Sequence, residues 1–406
     1  MTKHKVPLGE VCQAMRQTML QPLGVRSAQQ RPRLPPLCCH SAAKLLLAEA
    51  PAAEHDWLGH PESAARVPAV MAALEAGGLT PGGSAAGDAL VYVTGSAPAT
   101  REQLARVHTA NYLGSLALLT ARKAPCLYDG DTYLTKQSSQ AAAAGVGAAL
   151  ALVDAVVLES RLRQQLPGAP PGPAAFALCR PPGHHALPQS AMGFCLYSTA
   201  ALAARHAQQV HGLRRVLIYD WDVHHGNGTE AAFAADPDVC YISTHQAGGF
   251  PGTGEQSYVG VGAGEGATIN VSLPGGSGDV AARAAIDTII GPAAERFKPD
   301  IILVSAGFDA HWRDPLAGLQ WTDATYATLA RAMTQLAAQL CGGRIVFLLE
   351  GGYDLVGLAS GCLETVRACL DLPPALGDAD AARALLAEPE AKVAAALREV
   401  RALHSL

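Results

Sequence analysis

From about residue 55 onward the chain alternates between alanine-rich helical stretches and short β-branched apolar runs that end in polar or glycine-rich loops. The runs at 174–179, 215–220, 239–244, 268–271, 300–305 and 344–349 are nearly all apolar, as strands buried on both faces are. Helices are predicted at 139–158, 198–211, 279–297 and 325–340, long enough to serve as crossovers between parallel strands. The pattern predicts an α/β fold of three layers, αβα, with a central mainly parallel sheet. Every cluster of His, Asp and Gly follows directly on one of these strands. The clusters are therefore expected to converge outside the carboxyl ends of the sheet.

The first fifty residues lack this alternation. Lys3, Lys5, Arg16, Arg26, Arg31, Arg33 and Lys44 face only Glu10 and Glu49 there. Segment 1–50 reads either as an organelle transit peptide or as a basic extension carrying no address. It is set apart from a catalytic domain at 51–372, and 373–406 reads as a linker and a C-terminal helix. With 49% hydrophobic and 16% charged residues among 406, the chain has material for one large core. A net charge of -5 offers no basic footprint for a phosphate backbone, so direct nucleic-acid binding is not expected. No uninterrupted apolar run reaches 18 residues, and no membrane span is expected. The ten cysteines include no CxxC pair and read as reduced thiols in an intracellular compartment.

Four strand ends carry the chemistry: CRPPGHHA at 179–186, YDWDVHHGNGT at 219–229, SAGFDAHWRDPL at 305–316 and LEGGYDL at 349–355. Asp220, Asp222 and His224 alternate, so on an extended backbone they point to one side. Asp222 and His224 with Asp309 from another strand end would offer two oxygens and one nitrogen to a divalent ion. Three protein ligands leave a position free, as in catalytic zinc sites, although mixed ligation also suits iron, cobalt or manganese. A buried carboxylate without a cation is costly, which favours the metal reading over a purely structural one. His184 and His185 sit in a loop constrained by two prolines and a glycine. Such a pair either divides acid and base labour near a metal or is a plain surface-loop pair. Tyr353, after two glycines, either swings its phenol over the metal or packs beside a tight turn.

Taken together, from the HPES-AR segment at 60–66 to about residue 370, these motifs resemble the histone deacetylase family of the arginase/deacetylase superfamily. The form of DVHHGNGT is similar to class II members and their bacterial and plant organellar relatives. The resemblance implies a metal-dependent amidohydrolase, sensitive to hydroxamates, that releases acetate from acetyl-lysine. By the same resemblance Asp222, His224 and Asp309 match the ligands of one catalytic Zn2+, and His185 matches the general base. His184 matches the second, charged histidine, Asp220 and Asn227 the groups that orient the two, and Tyr353 the oxyanion donor. Gly193, Phe194 and Phe250 resemble the acyl-lysine tunnel, and Leu316 stands where polyamine-directed relatives carry a glutamate. Asp220, Asp222, His224, Ser243 and Thr244 match a K+ segment. The implied partner is an acetylated protein lysine, on a histone or another protein. The competing functions are an acetylpolyamine or other small-amide deacetylase and a catalytically inactive scaffold. The basic N-terminus points to chloroplast or mitochondrion, the alternative being cytoplasm or nucleus. Loop 128–140 resembles the class II rim loop, with Lys136 where a proline is expected.

Overall fold

In the computed structural model, which describes residues 43–375 and 386–406, eight strands form one sheet: β1 (Leu45–Ala50), β2 (Leu90–Tyr92), β5 (Ala174–Cys179), β6 (Val216–Asp220), β7 (Val239–Gln246), β8 (Thr268–Leu273), β9 (Ile301–Ala306) and β10 (Ile345–Leu349). Two short strands, β3 (Cys126–Leu127) and β4 (Tyr133–Leu134), pair as a separate hairpin. The sheet order is β2-β1-β5-β10-β9-β6-β7-β8, and all seven pairings are parallel. Helices cover the sheet, giving the α/β, three-layer architecture. All six strands expected from apolar runs are present, with ends shifted by no more than two residues.

The boundary placed at residue 50 is corrected. Leu45–Ala50, with sequence LLLAEA, is a sheet strand with only Glu49 exposed, paired on one side with β2 and on the other with β5. Its apolar run directly follows the basic segment, which hid it. The transit-peptide or extension reading otherwise falls on residues 1–42, outside the described residues. At the other end, helix Glu390–His404 buries Val393, Leu397 and Val400 and packs against β8. The terminal helix is thus part of the same compact unit as the sheet.

Helix Ser138–Gln164 has 27 residues and is long and apolar enough to cross a membrane by length and composition alone. The sequence criterion of an unbroken apolar run missed it, because glycine and Asp154 interrupt the run. Its environment is the protein interior, since 72% of its most apolar window is buried and it packs on β5, β1 and helix Thr199–His211. The seven cysteines among the described residues form no disulfide.

Candidate active site

The strands that carry the four motifs, β5, β10, β9 and β6, are contiguous in the sheet. Their carboxyl ends therefore deliver the motif loops to one place, although 130 residues separate His184 from Asp314 in the chain. Asp222, His224 and Asp309 each present a ligand atom within 4.8 Å of the others. Main-chain donors aim the carboxylates. Gly351 N–H donates to Asp222 Oδ2 at 2.8 Å and Val223 N–H to Asp309 Oδ1 at 2.9 Å. The other oxygens, Asp222 Oδ1 and Asp309 Oδ2, each lie 3.2 Å from His224 Nδ1. Glycine is required around them: a Cβ on Gly307 would collide with Asp222 Oδ2, and one on Gly351 with Asp309 Oδ2.

These residues fit a metal ion. Bonds of about 2.0–2.2 Å at tetrahedral angles place neighbouring donors about 3.3–3.5 Å apart, close to the separations here. Both carboxylates are buried and need a positive charge. Burial and the neighbouring Asp222 push the Asp309 carboxyl up to about 7. Burial opposes a charge on His224, but Asp222 and Asp309 override it and hold its ring up to about 10. A second donor group, Asp154, His206 and His211, is of a different kind. Its nitrogens lie 2.7 and 2.5 Å from one Asp154 oxygen, which are direct hydrogen bonds between two helices.

The histidine pair lies beside the trio, ring centroids 4.0 Å apart. His184 Nδ1 is 3.1 Å from Asp220 Oδ2, and His184 Nε2 is 3.7 Å from Asp222 Oδ1. His185 Nδ1 is 2.8 Å from Asn227 Oδ1. An amide oxygen only accepts, so Nδ1 of His185 carries the hydrogen and Nε2 keeps its lone pair. Burial opposes charge on both rings, and their partners then separate them. Asp222 and Asp220 hold His184 well above the ordinary histidine range. His185, facing His184 and His224, is driven well below it.

Tyr353 is fixed by its own N–H, which donates to Asp314 Oδ2 at 2.7 Å, and burial pushes its phenol well above the ordinary range, keeping the O–H as a donor. Phe194 packs edge-on to Tyr353 with centroids 5.5 Å apart, and Phe250 edge-on to His185 at 5.0 Å. The two rings stand on the Tyr353 and His185 sides of the site. A Cβ on Gly193, at φ +54°, would lie 2.5 Å from the His185 ring and 2.9 Å from Phe250. Phe194 holds φ +69°, a strained value for a bulky residue. Leu316 is 41% exposed and joins the site indirectly, its N–H donating to the Asp314 carboxylate that anchors Tyr353. Asp220 and Ser243 are register partners on β6 and β7. The Ser243 hydroxyl meets His245 Nδ1 and that of Thr244 meets Tyr219.

Several residues of the site were not foreseen. Tyr241 donates its O–H to Asp220 Oδ2 at 3.0 Å. Arg66 donates to the carbonyls of Gly352 and Glu350 at 2.7 and 2.5 Å, and its guanidinium carbon lies 5.1 Å from the Tyr353 ring centroid. Arg180 grips both oxygens of Glu62 at 2.6 and 2.8 Å. Burial opposes ionisation of Glu62, but Arg180 overcomes it and holds the carboxyl down to about 2. Thr132 in the rim loop accepts the Phe194 N–H at 3.1 Å and lies 3.2 Å from Asp129 Oδ2. Glu62 and Arg66 lie in the 60–66 segment that carries part of the resemblance, but nothing in its spacing marks them for the site.

The histone deacetylase domain family matches residues 60–369. The chain is 45% identical over 385 residues to histone deacetylase 14, chloroplastic, of Arabidopsis thaliana, covering 94% of this chain and 89% of that one. It is 47% identical over 369 residues to histone deacetylase 10, chloroplastic, of Oryza sativa subsp. japonica, covering 90% and 82%. A histone deacetylase-like amidohydrolase of Pseudomonas aeruginosa is 38% identical over 297 residues, 73% of each chain. Among solved structures, the crystal structure of the HDA15 HD domain superposes with a TM-score of 0.75 at 32% identity, covering 89% of this chain and 95% of that one.

Proposed function

The chain belongs to the histone deacetylase family and is a hydrolase, and on that footing we propose that it is a zinc-dependent protein lysine deacetylase. The observation that carries the reading is the convergence of Asp222, His224 and Asp309 beside two histidines whose environments drive their proton affinities apart. Bound by these three, zinc would polarise an acyl carbonyl and lower the pKa of a water towards about 7. His185 Nε2 takes the proton of the attacking water, and His184, paired with Asp220, stays charged beside the developing negative charge. Asp220 and Asn227 orient the two rings. The Tyr353 O–H donates to the carbonyl oxygen as it becomes an oxyanion. The proton then passes to the leaving amine, giving acetate and free lysine.

Phe194 and Phe250 serve as walls for an apolar lysine stem, and the Gly193 carbonyl accepts the amide N–H. Leu316, an apolar residue at the rim, favours acyl-lysine over a polycation. Potassium is proposed beneath the site, held by oxygens of the segment containing Asp220, Asp222, His224, Ser243 and Thr244. The chloroplastic relatives and the basic N-terminal residues support an organellar location, which sequencing of the mature N-terminus in cells tests. The deciding assay measures acetate release from acetyl-lysine peptides and acetylated polyamines, with and without chelator. Peptide turnover that the chelator abolishes and Zn2+ restores is expected. Preference for polyamines would move the reading to small amides, and turnover of neither would remove it.

A smaller test concerns the Phe194 wall. Thr132→Val removes the acceptor of its N–H, and an unpaired N–H costs about 1–3 kcal/mol. Peptide KM is expected to rise about fivefold to tenfold with kcat less affected. An unchanged KM would show that the rim loop does not hold the wall.

A further inference from the structure

β10 is an apolar strand, IVFLL, followed at once by Glu350. Its side chain is fully buried. A carboxylate in such a place is costly unless its oxygens are satisfied. The carboxylate that Arg66 and Arg180 pair with is that of Glu62. Glu350 Oε2 accepts the main-chain N–H groups of Gly183 and His184 at 2.6 and 3.1 Å, and Oε1 accepts the Ser305 hydroxyl at 3.0 Å.

The main chain of Glu350 is itself locked. Its N–H donates to Ala306 O at 3.0 Å, and its carbonyl receives Arg66 Nη2 at 2.5 Å. Three residues further on is Tyr353, and three residues beyond Ala306 is Asp309. One residue therefore ties the loop after β5, which carries the histidines, to the loops after β9 and β10, which carry a metal-ligand candidate and the phenol. Asp220 and Asn227 fix the histidine rings, whereas Glu350 fixes the backbone from which those rings project. Burial pushes its carboxyl up to about 7. Both N–H groups fall on the same oxygen, so the tie persists when the other oxygen is protonated.

We propose that Glu350 is a positioning residue for the reaction, setting the place of His184 and His185 relative to Tyr353 through these two main-chain hydrogen bonds. The inference rests on the deacetylase reading. The variants Glu350→Gln, Glu350→Leu and Glu350→Asp separate positioning from mere packing. In Glu350→Gln the amide oxygen can take both N–H groups while its NH2 faces Ser305. In Glu350→Leu neither N–H has an acceptor, and in Glu350→Asp the carboxylate is withdrawn.

Each zinc-loaded protein is assayed on an acetyl-lysine peptide, with bound metal counted by elemental analysis and melting temperature recorded. Glu350→Gln is expected within about threefold of wild-type kcat. Glu350→Leu is expected to lose about tenfold to hundredfold in kcat per metal-loaded molecule, with KM within about twofold, the scale on which displacement of a catalytic group by about 1 Å acts. Unchanged kcat in Glu350→Leu, even with a lowered melting temperature, would make the residue a structural staple and overturn the proposal. A loss in Glu350→Gln as large as in Glu350→Leu would overturn it too. If the leucine variant does not fold, Glu350→Asp decides, a fall in kcat at constant KM supporting the proposal and an unchanged kcat refuting it. A wild-type protein inactive on every acetylated substrate would refute the deacetylase reading instead, a result distinct from any of these.

Discussion

Asp309→Asn is expected to abolish zinc binding and to lower deacetylation by at least about a thousandfold. The variant leaves two of three ligands, fewer than the three protein ligands of catalytic zinc sites. Without the ion, no water of lowered pKa is available near neutrality. The substitution also separates the metal reading from a fold defect. Burial and Asp222 push the Asp309 carboxyl up to about 7, while His224 Nδ1 lies 3.2 Å from it, so in the ion-free protein a neutral amide relieves one repulsion and gives up one attraction. The metal-free variant is therefore expected to melt close to the metal-free wild type. Zinc at a thousand times its dissociation constant stabilises a folded protein by about 4 kcal/mol. That gain should appear as a raised melting temperature in the wild type and vanish in Asp309→Asn. Equal zinc-induced shifts in both proteins would show that the ion binds elsewhere.

Tyr353→Phe removes one oxygen and leaves the ring, with its contacts to Phe194 and Arg66. The lost group is a donor to charge that exists only in the transition state, so kcat should fall about a hundredfold to a thousandfold while KM changes little. That corresponds to about 2.7–4 kcal/mol. Zinc content and melting temperature should stay at wild-type values, which distinguishes this variant from Asp309→Asn. A wild-type kcat would assign Tyr353 to packing, the other reading its sequence context allowed.

Strand positions were legible because strands buried on both faces are apolar throughout, and the motifs were legible because each sits where such a strand stops. The contiguity of β5, β10, β9 and β6 is a property of strand order, which periodicity does not encode. β1 escaped because its six residues abut a basic stretch whose composition dominated the reading. β2, with three residues, is too short to show a pattern. Within the site, residues with reactive side chains were identifiable from spacing and resemblance. Apart from Asp220 and Asn227, which the resemblance supplied, those acting through buried hydrogen bonds were not, since Glu350, Thr132 and Tyr241 matter through the residues they face across the fold. Gly307 and Gly351 likewise reveal their purpose only once Asp222 and Asp309 lie against them.

The place of β10 has a consequence for how a nascent molecule matures. β10 lies between β5 and β9 yet is made after both. Until it emerges from the ribosome, the sheet can exist only as two half-sheets. The half with β9, β6, β7 and β8 carries Asp222, His224 and Asp309, and the half with β2, β1 and β5 carries the histidines, while Gly351 follows β10 itself. The last strand therefore both joins the halves and supplies the N–H that aims Asp222, so the cluster of side chains is complete only once that strand has zipped into place.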